Sequence, residues 1–148
     1  MLKLPPPGWA LIYVLIAAAV SYAAGWPRVP GLPIVVVGMG LVTAGVVLAA
    51  SSALLFRSEG TELNPTSSTN ARLVTSGPFR LTRNPMYLGL VLVTLGIAAW
   101  VGAWPMFLAP VATFATANWV HIPFEEAKMR RQFGVAFDEY ARSVRRWI

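Results

Sequence analysis

Residues 84–124 read NPMYLGLVLVTLGIAAWVGAWPMFLAPVATFATANWVHIPF, a run of 41 residues between Arg83 and Glu125 without an Asp, Glu, Lys or Arg. About 20 apolar residues carry an α-helix across the hydrocarbon core of a bilayer. A run of this length therefore holds two crossings, folded back as a hairpin. The spacing predicts spans near 85–101 and 105–122, turned at Gly102-Ala103-Trp104-Pro105 with Trp100 and Trp104 at interfacial depth. Toward the N-terminus lie two more uncharged runs, 24 residues between Lys3 and Arg28 and 28 between Arg28 and Arg57. Each holds one crossing, near 9–24 and 32–56. The expected fold is all-α: one integral membrane domain over 1–148, with four spans, a loop over 57–84 and an amphipathic C-terminal helix over 123–148.

Composition agrees. The chain has 148 residues, 56% hydrophobic and only 12% charged, against about 25% charged in an ordinary soluble domain. So small a chain has too much surface for so few charges to keep it in water. The same numbers exclude disorder and collagen, and the absence of cysteine excludes a disulfide scaffold and any thiol chemistry by the protein itself. A single histidine makes zinc a poor candidate, and no metal is expected.

The net charge of +6 does not point to nucleic acid, because the charges are segregated. Arg57, Arg72, Arg80 and Arg83 lie between the second and third spans, six basic residues follow the fourth, and Lys3 precedes the first. Only Arg28 falls on the opposite side, and all six acids share the basic side. The positive-inside rule makes that side cytoplasmic. The expectation is a multi-pass protein of the inner (plasma) membrane with both termini in the cytoplasm. A competing reading takes Lys3 and the apolar run ending Ser21-Tyr22-Ala23-Ala24 as a signal peptide. Cleavage there would leave three spans and break the charge count.

Within the second span, Gly38-Met39-Gly40 and Gly45 could suggest a dinucleotide fingerprint. No strand precedes them, so close helix approach through small residues is the better reading. Pro110 inside the fourth span is expected to kink it.

Polar chemistry is confined to two segments beside the basic side. In 73–89, Gly77-Pro78 marks a turn and Asn84-Pro85 a helix start, with Asn84 as N-cap and Pro85 at the first helical position. Arg80 and Arg83 flank that start, and Tyr87 and Gly89 lie in its first turns. Two readings stand: a capped span with a basic flank, or an acceptor-binding helix end. In the second segment, His121-Ile122-Pro123-Phe124-Glu125-Glu126 leads to Met129, Phe133, Phe137, Tyr140, Val144 and Trp147, which recur at helical spacing. Gly134 can bend or split that helix. Its aromatic face lies in lipid or on the bundle. Glu125 and Glu126 are either first-turn residues favoured by the helix dipole or the rim of a pocket for a cationic ligand.

Together these segments resemble the isoprenylcysteine carboxyl methyltransferase family and the related phospholipid N-methyltransferases. Arg83-Asn84-Pro85-Met86-Tyr87-Leu88-Gly89 is similar to the family's Arg-His-Pro-x-Tyr-x-Gly region. Glu125-Glu126, Gln132-Phe133-Gly134, Phe137, Tyr140 and Val144-Arg145-Arg146-Trp147 resemble its double-glutamate, Phe-Gly and aromatic ending. Phe56-Arg57, Gly60-Thr61 and Asn64-Pro65 fit the preceding loop of small members. The likeness covers roughly 56–148.

The resemblance implies a membrane methyltransferase using S-adenosylmethionine, bound at the cytoplasmic helix ends beneath the C-terminal helix. A lipophilic small molecule or lipid would reach it from the bilayer. Arg83, Asn84, Tyr87 and Gly89 would line the cofactor site, Gly77 and Pro78 would supply close backbone approach, and Glu125 and Glu126 would match the paired glutamates. Asn84 stands where many members have His; it can hydrogen-bond but cannot titrate. Methyl transfer from a sulfonium needs alignment and exclusion of water, not a protein nucleophile. Arg83 suits the donor's carboxylate, a glutamate its amine or ribose, and Tyr87 or Phe133 its adenine. The catalytic residues are open. His121 is a candidate base, or simply an interfacial histidine; Arg130 or Arg131 could hold an anionic acceptor. A membrane reductase, or a small non-enzymatic membrane protein, is the alternative.

Overall fold

A computed structural model describes residues 5–59 and 72–148. Lys3 and the Gly60-Thr61 and Asn64-Pro65 positions lie outside them. The described chain is helical, with a single isolated backbone bridge, Arg28 to Ala103, in place of any strand.

Helix α1 (Pro6–Ala23) opens on prolines, which lose nothing at a helix's first positions because their missing N–H has no intrahelical partner there. Helix α2 spans Val35–Ser58. Both are long and apolar enough to cross a bilayer, with mean hydropathy 1.5 and 2.0, and only 17% of each apolar window is buried. A core helix of a soluble protein would hide such a surface. Here Leu15, Ile16, Val36, Val47 and Leu54 stand outward instead, as lipid-facing side chains do. Helix α3 (Pro85–Val101) has the predicted bounds; at 17 residues it is about 25 Å long.

Helices α2 and α3 pack antiparallel through paired glycines. A Cβ on Gly45 would lie 2.5 Å from the carbonyl oxygen of Gly89, and one on Gly89 would lie 2.6 Å from that of Gly45. Gly38 and Gly96 repeat the arrangement at 2.8 and 2.6 Å. The second-span glycines are thus packing residues that let two backbones touch; Gly40, with nothing within 4 Å, is not part of the seam.

At the turn end of the bundle the two connections clasp each other. Val29 N–H donates to Gly102 C=O at 2.9 Å and Trp104 N–H to Pro27 C=O at 3.1 Å. Arg28 reaches the Val101 carbonyl at 2.7 Å, so the basic residue that stood apart in the charge count satisfies an orphan carbonyl at the end of α3. Gly102 closes that helix at φ 73°, and a Cβ there would meet Pro33 N at 2.9 Å.

The region predicted as one helix over 105–122 is instead a composite. A 3₁₀ turn (Trp104–Phe107) leads into α4 (Leu108–Thr116), then five π-helical residues (Ala117–His121), then without a break α5 (Ile122–Phe133). Pro110 does not kink a span. It sits in the first turn of α4, where its missing donor has no helical partner to lose. The distortion lies further on, just before Pro123, whose own N–H is absent. π-bulges of this kind gather at functional sites.

The C-terminal helix predicted over 123–148 is also divided. Gly134, at φ 53° and ψ −124°, separates α5 from α6 (Val135–Ser143). Val144 then turns extended, and the last residues run as a strap. The aromatic stripe faces protein: Phe137 and Tyr140 are buried with Val74 and Phe79, and Met129, Phe133, Val144 and the α2 residues Leu55 and Phe56 pack on them. Phe56 stacks on Phe79 at 4.9 Å, and the Tyr140 hydroxyl donates to the Phe79 carbonyl at 2.7 Å.

Candidate active site

The start of α3 and the C-terminal strap are built on one another. Arg83 lies just before the helix. Its Nη1 donates to the carbonyls of Ala141 at 2.7 Å and Val144 at 2.6 Å, capping the end of α6. Its Nη2 reaches Glu126 Oε1 at 2.9 Å, and its backbone N–H reaches Arg145 C=O at 2.9 Å. Thr82 Oγ1 and Asn84 Nδ2 both donate to the Arg146 carbonyl at 3.0 Å. Asn84 occupies the expected N-cap position, but its side chain makes no capping bond. The amide is spent on the strap, and Asn84's own N–H is satisfied by Thr82 Oγ1 at 3.1 Å.

Glu126 is the hub. Arg146 embraces it, Nε to Oε1 at 3.2 Å and Nη2 to Oε2 at 2.6 Å, while Arg83 takes Oε1 from the other side. Burial pushes this carboxyl up, but the hydrogen bonds and charge of Arg146 and Arg83 outweigh it and hold the acid below the ordinary range. Glu125, one residue earlier, behaves oppositely. Removal from water raises it to about 7, although the Tyr87 hydroxyl (2.6 Å to Oε1) and Lys128 favour the charged form. Two adjacent carboxyls thus differ in surroundings: one is an anion held by two arginines, the other accepts from Tyr87 and is raised to about 7.

Tyr87 joins this cluster to the helix interior. Its ring stacks on His121 at 5.8 Å and packs with Ala117, Ile122 and Trp147. The Trp147 indole donates to Asn118 Oδ1 of the π-segment at 3.0 Å. Tyr87 and His121 line a narrow cleft with Pro6, Trp9, Ala10 and Tyr13 of α1, Leu90 of α3, and Thr113, Thr116 and Ala117. The cleft measures about 220 Å³ counted with its open mouth, and the space within it takes about one water-sized group. Among the described residues, Arg83 Nε, Thr113 Oγ1 and His121 Nδ1 are buried polar atoms without a hydrogen-bond partner.

Of the residues singled out in the sequence, Arg83, Asn84, Tyr87, Glu125 and Glu126 come together, with His121 joined through Tyr87. The others stand elsewhere. Gly89 is pressed on Gly45 and Ala49 of α2. Gly77 (φ 57°) and Pro78 shape a 3₁₀ turn whose glycine faces Leu55. Phe133 packs in the aromatic cluster. Arg130 pairs with Asp138 at 2.9 Å on the surface and lies over Phe137, and Arg131 is exposed. Arg146, in the sequence one of six basic residues after the fourth span, is the principal partner of Glu126; the Val144-Arg145-Arg146-Trp147 ending is the available signal. Thr113 carried none, being one threonine in an apolar run.

Residues 33–136 match the phospholipid methyltransferase family. A relative from Arabidopsis thaliana, protein-S-isoprenylcysteine O-methyltransferase A, is 37% identical over 78 residues, 49% of this chain and 36% of that protein. The chain thus spans about a third of that relative's length. No solved structure matches. Since the family match covers well over half of the chain, the protein belongs to the phospholipid methyltransferase family. With two helices apolar enough to cross a bilayer, it is a membrane protein.

Proposed function

We propose that this protein is an integral-membrane methyltransferase that uses S-adenosylmethionine to methylate a lipophilic acceptor. The observation that carries the reading is the pairing of Tyr87 with the half-buried Glu125, beside a fixed Glu126–arginine cluster at the start of α3. The donor set suits the cofactor. Glu125 offers an acceptor for the amine or ribose hydroxyls, Tyr87 an aromatic face, and Arg83 Nε a buried donor with no partner for the carboxylate. Most of the Arg83 guanidinium is already engaged, so Arg83 and Asn84 chiefly brace the site while Glu125 and Tyr87 do the holding. Bound there, the cofactor supplies an electrophilic methyl; the chain's part is to orient acceptor and donor and to exclude water.

In this reading the chain crosses the bilayer four times, near 9–24, 32–56, 85–101 and 105–122. The site faces the cytoplasm, and both termini lie on that side of the plasma membrane. The segregation of the basic residues supports it. The π-segment and α5 continue the fourth crossing to the surface, so the acids emerge where the bilayer ends. Gly77, Pro78, Gly89 and Phe133 support the site through packing.

Calorimetry in detergent tests this reading. The wild type should bind S-adenosylmethionine and its demethylated product, and Glu125→Ala and Tyr87→Ala should each weaken binding at least about 10-fold, as loss of a charge-assisted bond implies. Silence toward both compounds, or unchanged affinity in both variants, refutes it and favours a non-enzymatic membrane protein.

A further inference from the structure

From the way the C-terminal strap is fastened we infer that Trp147, locked by Asn118, is a positioning residue of the donor site: it closes the cluster that keeps the Tyr87 hydroxyl on Glu125. This rests on the methyltransferase reading and deepens it.

Trp147 is fixed twice, through its backbone and through its side chain. The carbonyl of Arg146, in the peptide group that joins it to Trp147, accepts from Thr82 Oγ1 and Asn84 Nδ2, both at 3.0 Å. Those two donors stand just before α3, and Tyr87 follows Asn84 by three residues. The strap is therefore referred to the same helix start that carries Tyr87. At the far end of the side chain, the indole N–H donates to Asn118 Oδ1 at 3.0 Å, and the ring lies 4.8 Å from that of Phe114. Asn118 belongs to the π-helical stretch and Phe114 to α4. Trp147 thus ties the start of α3 to the fourth apolar run. This accounts for Asn84, which sits at the N-cap position yet makes no capping bond: its amide holds the peptide before Trp147 instead.

What the indole closes is the cluster round Tyr87. Tyr87, Ala117 and Ile122 are 4%, 2% and 0% exposed, and Leu90 and Trp147 are the partly buried side chains packed against them. Leu90 comes from α3 itself. Trp147 comes from the strap and supplies the outer layer of the cluster from that side. His121 stacks on the Tyr87 ring at 5.8 Å. A ring packed in this way has little freedom to swing its hydroxyl off Glu125 Oε1, 2.6 Å away. Exclusion of water matters as much as packing. A hydrogen bond to a carboxyl is strongest where the local dielectric is low, and admitted water competes for both partners. Loosening Trp147 therefore weakens the contact through which Tyr87 fixes Glu125.

The test is a set of double-mutant cycles on the detergent-solubilised full chain, read as calorimetric affinity for S-adenosylhomocysteine, the donor without its methyl. Trp147→Ala should weaken binding about 5-fold or more in the wild-type background, and by less than about 2-fold once Tyr87→Phe has removed the hydroxyl through which it acts. Asn118→Leu and Trp147→Phe break the lock but keep the bulk, so they decide the matter if Trp147→Ala does not fold. Each should weaken binding about 3-fold, the two together no more than either alone, and neither further in Tyr87→Phe. Equal factors with and without the Tyr87 hydroxyl mark a merely structural residue and overturn the inference, as do unchanged affinities in Asn118→Leu and Trp147→Phe. A readout with no donor present is nitration by tetranitromethane, followed by mass spectrometry. Tyr87 should react about 5-fold faster in Asn118→Leu than in wild type, while Tyr140, buried in the separate aromatic cluster, keeps its rate. Acceleration of both tyrosines alike, or of neither, overturns the inference. A wild type silent toward S-adenosylmethionine and its demethylated product removes the methyltransferase reading and this inference with it. Binding kept, with equal factors in the cycles, removes this inference alone.

Discussion

Glu125 and Glu126 are neighbours in the chain and opposites in chemistry. Successive residues on a helix point about 100° apart, so one carboxylate meets two guanidinium groups while the other meets a phenol and the protein interior. Their titrations therefore act on stability with opposite sign. Glu126, held below its ordinary range, contributes stability that is present above the unfolded pKa and is lost as pH falls through the folded one. Glu125, raised to about 7, favours the folded state while protonated, so its contribution is lost as pH rises from the ordinary carboxyl range through 7. Melting curves of wild type and Glu125→Gln in detergent should therefore nearly coincide at pH 5 and separate by pH 8, with the variant the more stable. A constant gap across that range would show that burial does not raise this acid. Adjacent glutamates were visible in the sequence. Their unlike environments were not, because those depend on Arg83 and Arg146, 43 residues before Glu126 and 20 after it.

At the scale of elements, the glycine seam between α2 and α3 is the most exacting contact in the molecule. Gly38 and Gly45 on one helix meet Gly96 and Gly89 on the other, and any Cβ would enter the facing backbone. In lipid no hydrophobic drive holds two helices together, so close packing and the contacts it permits must. Gly45→Leu should force the helices apart and abolish the folded protein. Gly45→Ala should cost about 1–3 kcal/mol, the usual range for overpacking, read as lower detergent-melting stability. Gly40→Ala, with open space around it, is the control and should be neutral; equal effects at Gly40 and Gly45 would sink the seam. Helix-packing glycines were legible in α2. Their register against Gly89 was not, and Gly89 resembled a cofactor residue because its spacing from Arg83 is part of the motif. The fourth apolar run was legible as membrane material but not as a 3₁₀, α and π composite. Hydropathy registers the solvent a segment prefers, not the hydrogen-bond step of its backbone.

At the scale of the whole molecule, the two ends of the bundle are secured differently. One end is held by main-chain bonds between two short connections, with Arg28 as the clamp. The other is held by the strap, whose carbonyls are bonded by Thr82, Arg83 and Asn84. Charge segregation orients these ends in the proposed topology. The absence of native cysteine makes this directly measurable. Single substitutions Pro30→Cys in the α1–α2 connection and Arg131→Cys on α5 should report opposite sides: a membrane-impermeant maleimide on intact cells should label the first and reach the second only after lysis. Labelling of both on intact cells would overturn the orientation.

What the sequence determined by itself is the solvent and the neighbourhood of the chemistry. Uncharged runs long enough for a bilayer, and polar groups crowded beside them, follow from transfer free energies that act residue by residue, so composition and spacing suffice to read them. The tertiary structure alone decided how the polar groups divide their work. It set Arg83 and Asn84 to holding the strap, made Arg146 the partner of Glu126, freed Glu125 for Tyr87, and brought Thr113 and His121 to one cleft. Those assignments depend on distances between atoms far apart in the chain, and no local pattern encodes them.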